Sequence, residues 1–336
     1  MKRFETTANN EPGKGILICT CYHQQSKFER IHAQYPLKFI PTQGHADRLA
    51  VVYMLSYGGG IVSGDTFHID MTIKENAILL LMTQGNTKVF KDRHHHHLWL
   101  ASINNSQQTL PIRDDSNSTS SNTKSTSIQI INSVVASQAT LLVLPDPVTC
   151  FRDSSFQSRQ VFHLADEHSQ LVLLDWFTSG RMKRGENWSF RHYSSRIEVR
   201  VADKLVVKDA MVLEDEEYMK TCNDDDDETA YASRLKPYLC FATLIMIASH
   251  QQSTLMRSVE NVQRKAQEMR LMPLALKSEK DRELLWSVNP ILKGKGVLVR
   301  IAGMTTESVR DFVKYQCLGQ GFESIVGEGM FQKVLM

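Results

Sequence analysis

Apolar and polar residues alternate with a period of two along most of the chain. In TFHIDMTI (66–73), every second position from Phe67 to Ile73 is apolar, and the positions between them are polar. This alternation is typical of a β-strand with one buried face, and SRIEVRV (195–201) repeats it. The run ILLLMTQ (78–84) is apolar almost throughout, which predicts a strand buried on both faces. Because similar short runs follow one another, the first three-quarters of the chain is predicted to be mostly β.

A helical period occurs only after residue 250. In the segment 253–272, five apolar residues recur at spacings of four, three, four and three, which predicts an amphipathic helix that ends at Pro273. A shorter helix is predicted near 279–287, a strand over 296–303, and a last helix over 305–319. The apolar residues of the amphipathic stripe are Leu255, Val259, Val262, Ala266 and Met269.

The segment SYGGGIVSGD (56–65) is rich in glycine and resembles a phosphate-binding loop at first sight. Such a loop requires a helix directly after its glycines, because the amides at a helix N-terminus bind the anion. Here the glycines lead into Asp65 and an alternating strand, and no Gly-Lys-Ser/Thr follows. We therefore predict a tight passage between two strands, where a positive φ or a close backbone approach requires glycine.

Composition narrows the possible partners. The chain has 336 residues, 42% of them hydrophobic, and a net charge of +2, which provides no electrostatic footprint for nucleic acid. The longest apolar runs fall short of the roughly 20 residues of a membrane span. Six scattered cysteines without a secretory signal indicate reduced thiols and a cytoplasmic location. We expect neither a nucleic-acid nor a membrane partner.

Two polar segments interrupt the globular pattern. We predict a flexible N-terminus over 1–15 and a single domain over 16–336, with surface insertions at about 94–127 and 222–230. The first insertion begins with His94–His97, which we interpret as a solvated loop rather than a nickel site, since four adjacent histidines cannot all face one ion.

The residues provide little support for catalysis. Ser63 lacks the G-x-S-x-G context of a hydrolase nucleophile, and there is no H-E-x-x-H motif. The side chains of Cys19, Cys21 and His23 are of the kinds that bind soft metal ions, but we interpret the two cysteines as buried thiols. A metal-dependent hydrolase on a β scaffold, with a metal held by carboxylates named below, remains the alternative function.

Several sequence blocks together resemble the urease accessory protein UreD family, called UreH in some bacteria. The blocks are SYGGGIVSGD (56–65), LLMTQGNTKVFK (80–91), LPDPVTCF (144–151), DWFTSGRMKRGENWSF (175–190) and GVLVRIAGMTTESVRDFV (296–313). The similarity covers roughly residues 40–330, and the long insertions indicate a eukaryotic, in particular a fungal, member.

The resemblance implies a non-enzymatic scaffold. Its fold is expected to be mainly β, with stacked, β-helix-like sheets and a few α-helices in the C-terminal third. The expected partners are apo-urease, a UreF-type accessory protein and, through it, a UreG-type GTPase that carries nickel. No permanently bound cofactor is expected. Ni²⁺ is expected to pass in transit, by a proposed internal channel, to a urease whose active-site lysine becomes carbamylated.

Carboxylates recur in the blocks and are nominated as metal-transit residues: Asp65, Asp146 and Glu186. Oxygen ligands bind Ni²⁺ weakly enough to release it. The alternative for each is a structural hydrogen bond, for example in a turn at Asp65 or Asp146.

Other polar residues of the blocks are nominated for partner contact or channel lining. The alternative for the block 175–190 is that its tryptophans fill the core while its arginines lie on the surface. The stripe on the helix at 253–271 and the C-terminal GEGMFQKVLM (327–336) are candidates for docking the UreF-like partner, with core packing as the alternative. The nominated residues are Gln84, Thr87, Lys88, Asp175, Ser179, Arg181, Arg184 and Trp188.

Overall fold

Two large β-sheets dominate the computed structural model of the chain, which describes residues 11–42, 48–92, 126–215, 229–248, 253–272, 283–319 and 321–336. The first has seven strands, in spatial order β14 (Lys204–Glu214), β13 (His192–Val201), β11 (Ser155–Leu164), β8 (Ser127–Val135), β5 (Thr66–Ile73), β1 (Lys14–Tyr22) and β2 (Gln25–Ala33). The second has ten: β16 (Leu284–Ile291), β17 (Gly296–Gly303), β15 (Cys240–Ile247), β12 (Gln170–Thr178), β9 (Thr140–Val143), β6 (Ile78–Thr83), β4 (Leu49–Ser56) and β3 (Leu37–Thr42), with β10 (Val148–Cys150) beside β12 and β7 (Thr87–Val89) beside β10.

The chain alternates between the two sheets as it proceeds. From β5 onward it passes to β6, back to β8, then to β9, β11 and β12, so that each round adds one strand to each sheet. The strands added in this way run parallel to their neighbours, and antiparallel strands lie toward the margins. This is the stacked, β-helix-like arrangement that was expected, and it confirms the mainly β prediction.

The two faces of the ten-stranded sheet bury different cores. Leu79 and Leu81 of β6 pack into the cluster between the sheets, whereas Leu80 and Met82 pack into a second cluster under the C-terminal helices. This two-sided burial explains why β6 is apolar throughout. The helices are α1 (Ala232–Leu235), α2 (Thr254–Leu271), α3 (Thr306–Asp311), a π-helical turn (Phe312–Leu318), α4 (Phe322–Val326) and α5 (Glu328–Lys333).

The predicted amphipathic helix is α2, and core packing accounts for the first half of its stripe. Leu255, Val259 and Val262 are buried, while Met269 is half-buried and Leu271 is 85% exposed. Among the described helices, none has the length and apolar character needed to cross a membrane.

Two predictions near the C-terminus are wrong. The described part of the helix expected near 279–287 is strand β16, which pairs antiparallel with β17 over its whole length. The helix expected to be the last, which continues from α3 into a π-helical turn, is followed by α4 and α5. The C-terminal segment is folded back: Met330, Phe331 and Val334 are buried in the second core.

The glycine-rich passage has the predicted geometry. Gly58, Gly59 and Gly64 have φ values of 82°, 77° and 85°. A Cβ added at Gly60 would lie 2.6 Å from the carbonyl oxygen of Lys88. The passage leads into β5, not into a helix, so the nucleotide interpretation has no structural support. Residues 1–10, His94–His97 and most of the two predicted insertions lie outside the described residues.

Candidate functional site between the two sheets

A cavity of about 400 Å³ lies between the sheets, where β14 faces β15, β16 and β17. Its walls are mainly apolar, with Phe177 and Tyr193 among the contributing side chains. Three charged side chains also line it: Asp175, Asp209 and Arg300. Charged groups in an apolar interior are costly unless they are paired, so their contacts determine what the cavity can do.

Asp175, Thr243 and Arg300 are neighbours across three adjacent strands of the ten-stranded sheet. Asp175 occupies an inward position of β12, where Leu173 and Phe177 on either side belong to the core between the sheets. It lies opposite Thr243 of β15, and Thr243 lies opposite Arg300 of β17. Because residues in register share a face, all three side chains project toward the seven-stranded sheet.

The Asp175 carboxylate accepts hydrogen bonds from that other sheet. Ser195 Oγ donates to Oδ2 at 2.6 Å, and Gln160 Nε2 donates to Oδ1 at 3.2 Å. Burial raises the pKa of Asp175 above its usual range, and the charge of Asp209 acts in the same direction, while the two hydrogen bonds oppose the shift. Asp175 is therefore an oxygen-donor group whose charge a cation would stabilise.

Asp209 is paired with Arg300. The guanidinium of Arg300 bonds Oδ1 of Asp209, and Thr243 Oγ1 lies 3.5 Å from Oδ2. The Asp209 side chain is 15% exposed and that of Arg300 is 52% exposed, so the pair reaches from the cavity to solvent. This contact joins β14, at the margin of one sheet, to β17 of the other.

Two hydroxyls of the described interior lack partners. The buried Oγ atoms of Ser133 and Ser158 make no hydrogen bond, whereas the buried Tyr193 hydroxyl interacts with Ser195. Ser158 lies in register between Gln129 and Ser195, so a row of polar side chains crosses β8, β11 and β13 on the inner face. Buried polar atoms are nearly always hydrogen-bonded, so this row has capacity for a ligand or water.

The structure does not bring the three nominated carboxylates together. Asp65 caps its own turn by accepting the Val62 N–H at 3.1 Å. Glu186 binds Arg181 through both oxygens, with Arg181 Nε donating at 2.7 Å, and this pairing lowers the pKa of Glu186. Across the described ranges, no group of three or more His, Cys, Asp or Glu side chains is arranged to hold a metal ion.

Asp146, the third nominated carboxylate, lies at a separate groove of about 410 Å³. Its Oδ2 accepts the Gly85 N–H at 2.7 Å and the Thr83 hydroxyl at 3.2 Å. Burial nevertheless raises the pKa of Asp146, because desolvation outweighs these bonds. Gln84 and the C-terminal Met336 line the same groove. Of the three carboxylates, Asp146 is the one that lines a described pocket.

Thr87 and Lys88 lie on the short strand β7, which pairs with β10. Thr87 donates its N–H to the Pro147 carbonyl at 3.1 Å, and the Lys88 carbonyl accepts the Ile61 N–H at 2.7 Å. The Lys88 side chain is exposed, and no carboxylate of the described residues forms an ion pair with it. In the structure, the backbone of this segment anchors the glycine-rich passage.

The remainder of the 175–190 block folds onto itself. Ser179 is buried and accepts the Trp188 N–H through its carbonyl at 2.7 Å. Trp188 is fully buried and donates its indole N–H to the Tyr238 carbonyl at 3.2 Å. Arg184 is exposed, and Arg181 lies 4.1 Å over the ring of Phe151. For Trp188 and Arg184 the structure shows the alternative arrangement, with the tryptophan in the core and the arginine at the surface.

Cys19 and Cys21 belong to the core between the sheets, as the buried-thiol interpretation predicts. Both pack against the cluster between the sheets, and burial raises the pKa of Cys19 to about 12. His23 is exposed beyond the end of β1.

Sequence reasoning singled out Asp175 but missed Tyr193, Ser195, Asp209 and Arg300. Arg300 is the one charged residue of the apolar strand β17, which was an available local signal. That Asp209 meets it depends on which strands face each other, and no local pattern contains that information.

Known proteins resemble this chain over nearly its whole length. Residues 12–318 match the profile of the family described as UreD urease accessory protein. A protein of Arabidopsis thaliana named Urease accessory protein D is 31% identical over 301 residues, covering 84% of this chain and 88% of that protein.

Two fungal proteins are similarly related. Urease accessory protein 4 of Cryptococcus neoformans var. grubii is 28% identical over 333 residues, which are 96% of this chain and 95% of that protein. An uncharacterized urease accessory protein ureD-like of Schizosaccharomyces pombe is 29% identical over 90% of this chain and 92% of its own length. These relatives are named as accessory proteins and not as enzymes. The chain therefore belongs to the UreD family of urease accessory proteins.

Proposed function

We propose that this chain is a maturation scaffold that binds apo-urease in the cytoplasm. It joins a UreF-type accessory protein and, through it, a UreG-type GTPase, and the assembly supports delivery of Ni²⁺ to the urease active site. The observation that carries the proposal is the family match, which extends from β1 to the end of the π-helical turn. A role in urease maturation follows from that membership.

The architecture suits a scaffold. Each round of the chain adds one strand to each sheet, and the two sheets share a single continuous core. Close packing of this kind resists deformation, so surface contacts on opposite sides keep a fixed spacing. The alternative function, a metal-dependent hydrolase, required Asp65, Asp146 and Glu186 to share one metal, and their separate contacts give that alternative no support.

We propose that Ni²⁺ passes through the interior between the two sheets. The polar row of Gln129, Ser158 and Ser195 leads to Asp175 and offers oxygen donors without a tight ligand set. Oxygen ligands hold Ni²⁺ less firmly than imidazole or thiolate does, so a cation can move on.

The nominated carboxylates differ in their availability for Ni²⁺. Asp146 lies at a groove, and we propose it as a metal contact there. A transit role for Asp65 or Glu186 requires each carboxylate to give up its present hydrogen bonds.

Co-expression with tagged apo-urease and the UreF- and UreG-type proteins tests the assembly. We expect the tagged urease to retain both accessory proteins when this chain is present and to lose them when it is omitted. The chain alone should show no urea hydrolysis. Retention of both partners at equal levels without this chain would contradict the scaffold proposal.

A further inference from the structure

The last strands of the two sheets meet at one margin of the molecule. Strand β2 ends the seven-stranded sheet and β3 ends the ten-stranded sheet, and residues 34–36 join the two strands. A groove of about 360 Å³ lies along this margin. Its lining combines two buried side chains, Leu37 and Phe39, with three exposed ones, Ile31, Tyr35 and Tyr57.

The two tyrosines of the groove form one exposed aromatic surface. Tyr35 is 71% exposed and Tyr57 is 46% exposed, and the centroids of their rings lie 5.5 Å apart. Ile31 is exposed beside them, so three large apolar side chains share one groove. Contiguous exposed apolar surface is typical of a protein interaction site, and tyrosine is enriched among the residues that dominate binding there.

This margin is unsuited to the addition of a further strand. Pro41 of β3 has no N–H, and Lys38 places a charge on the same edge strand, and both features oppose strand pairing. Recognition therefore relies on side chains. Gly58 and Gly59 leave space beside Tyr57, because no atom of a non-adjacent described residue lies within 4 Å of a Cβ built at either position. A partner segment can therefore approach the Tyr57 ring.

Lys38 gives the groove a positive charge. Its ammonium lies 5.4 Å from the centroid of the Tyr57 ring, and no carboxylate among the described residues forms an ion pair with it. The described residues that line the groove include neither Asp nor Glu. A carboxylate of a partner can therefore bind Lys38 without displacing an internal ion pair. The groove fits a segment that presents an apolar side chain to the tyrosines and a carboxylate to Lys38.

The groove is separate from the surface considered for the UreF-type partner. Helix α2 packs on β15, β16 and β17, at the opposite margin of the ten-stranded sheet from β3. The exposed end of α2 carries Leu271 and Met272. A scaffold that holds two proteins at once needs two separate surfaces, so the groove is available to the other partner, apo-urease.

We propose that the groove formed by Tyr35, Tyr57 and Lys38 is a docking surface for an acidic segment of apo-urease that also carries an exposed apolar side chain. The identity of the partner rests on the proposed function, whereas the surface and the chemistry that it recognises rest on the residues of the groove.

Biolayer interferometry between the immobilised full chain and purified apo-urease tests this surface. Tyr35→Ala and Tyr57→Ala should each weaken binding by about thirtyfold, the scale of a residue that dominates an interface. Tyr57→Phe retains the ring and should bind within about threefold of the parent chain. Lys38→Gln should weaken binding by about threefold and should make binding less sensitive to salt, because it removes a charge pair with the partner.

Tyr22→Ala is the matched control. Tyr22 is 63% exposed and lies at the opposite end of the β1–β2 hairpin from Tyr35, so its replacement should leave the dissociation constant unchanged. Thermal melting of each variant verifies that it is folded. Parental affinity of both alanine variants at the groove would refute the proposal. Loss of the UreF-type protein or of self-association, with apo-urease still bound, would also refute it, because another protein would then occupy the groove.

The parent chain separates this proposal from the proposed function. Failure of the parent chain to bind apo-urease, even with the UreF-type protein present, would refute the scaffold and the surface together. Binding by the parent chain combined with equal binding by Tyr35→Ala and Tyr57→Ala would refute this surface alone and leave the scaffold proposal standing.

Discussion

Replacement of Trp188 tests whether this tryptophan is a core residue. Its ring lies within 6.5 Å of four aromatic rings and has no exposed surface. Truncation of a buried tryptophan to alanine costs about 3–5 kcal/mol of unfolding free energy. Trp188→Ala also leaves the Tyr238 carbonyl without its indole donor, which adds about 1 kcal/mol. We therefore expect a total loss of about 4–6 kcal/mol, a large part of the roughly 5–15 kcal/mol by which an ordinary domain is stable.

Urea denaturation of the purified chain, followed by far-ultraviolet circular dichroism, measures this loss. Trp188→Phe should retain most of the packing and lose about 1–3 kcal/mol. Arg184→Ala, an exposed change in the same loop, should remain within about 0.5 kcal/mol of the parent chain. If Trp188→Ala were as stable as Arg184→Ala but failed to bind partners, the tryptophan would be an interface residue and the packing argument would be wrong.

Three further changes have defined expectations. Glu186→Gln should lower the free energy of unfolding by about 1 kcal/mol at pH 7. Because pairing with Arg181 lowers the pKa of Glu186, this difference from the parent chain should shrink as the pH falls below about 4. A difference that grows in acid would contradict the pairing. Gly60→Ala should cost about 1–3 kcal/mol in urea melts, since its Cβ would lie 2.6 Å from a neighbouring carbonyl oxygen, and full stability would show that this approach is looser than described. Phe331→Ala should lower the free energy of unfolding by about 3–5 kcal/mol, because this side chain is buried. Met336→Ala should be nearly neutral, because the Met336 side chain is 79% exposed. Equal effects of the two substitutions would argue against burial of the C-terminal segment.

The strands were predictable because their signal is local. The alternation from Phe67 to Ile73 arises because one face of β5 packs on the core and the other does not. Strand β6 is apolar throughout because its two faces pack into two different cores. The error at β16 was avoidable, because polar Ser287 and Asn289 alternate with apolar Trp286 and Val288 in the sequence. The structure shows the same period of two in their exposure. Short helices such as α4 and α5 carry too few residues for a period to develop.

The cavity was less predictable, because it depends on strand order. Asp175 was noticed within a recognisable block, but its partner Ser195 lies on a strand of the other sheet. Asp209 and Arg300 are 91 residues apart in sequence. Arg300 stands out locally as the one charged residue of β17, but only the facing of β14 toward β17 brings it into contact with Asp209. Such pairings are outside the reach of any local rule.

The central claim, that this chain serves urease maturation, is tested most directly by the nickel content of urease. Urease purified from cells with and without the chain, grown at the same ordinary nickel concentration, is analysed for bound metal and for urea hydrolysis. We expect urease from the deficient cells to be nickel-poor and nearly inactive, and re-expression of the chain to restore both. Fully metallated, active urease in the deficient cells would contradict the account.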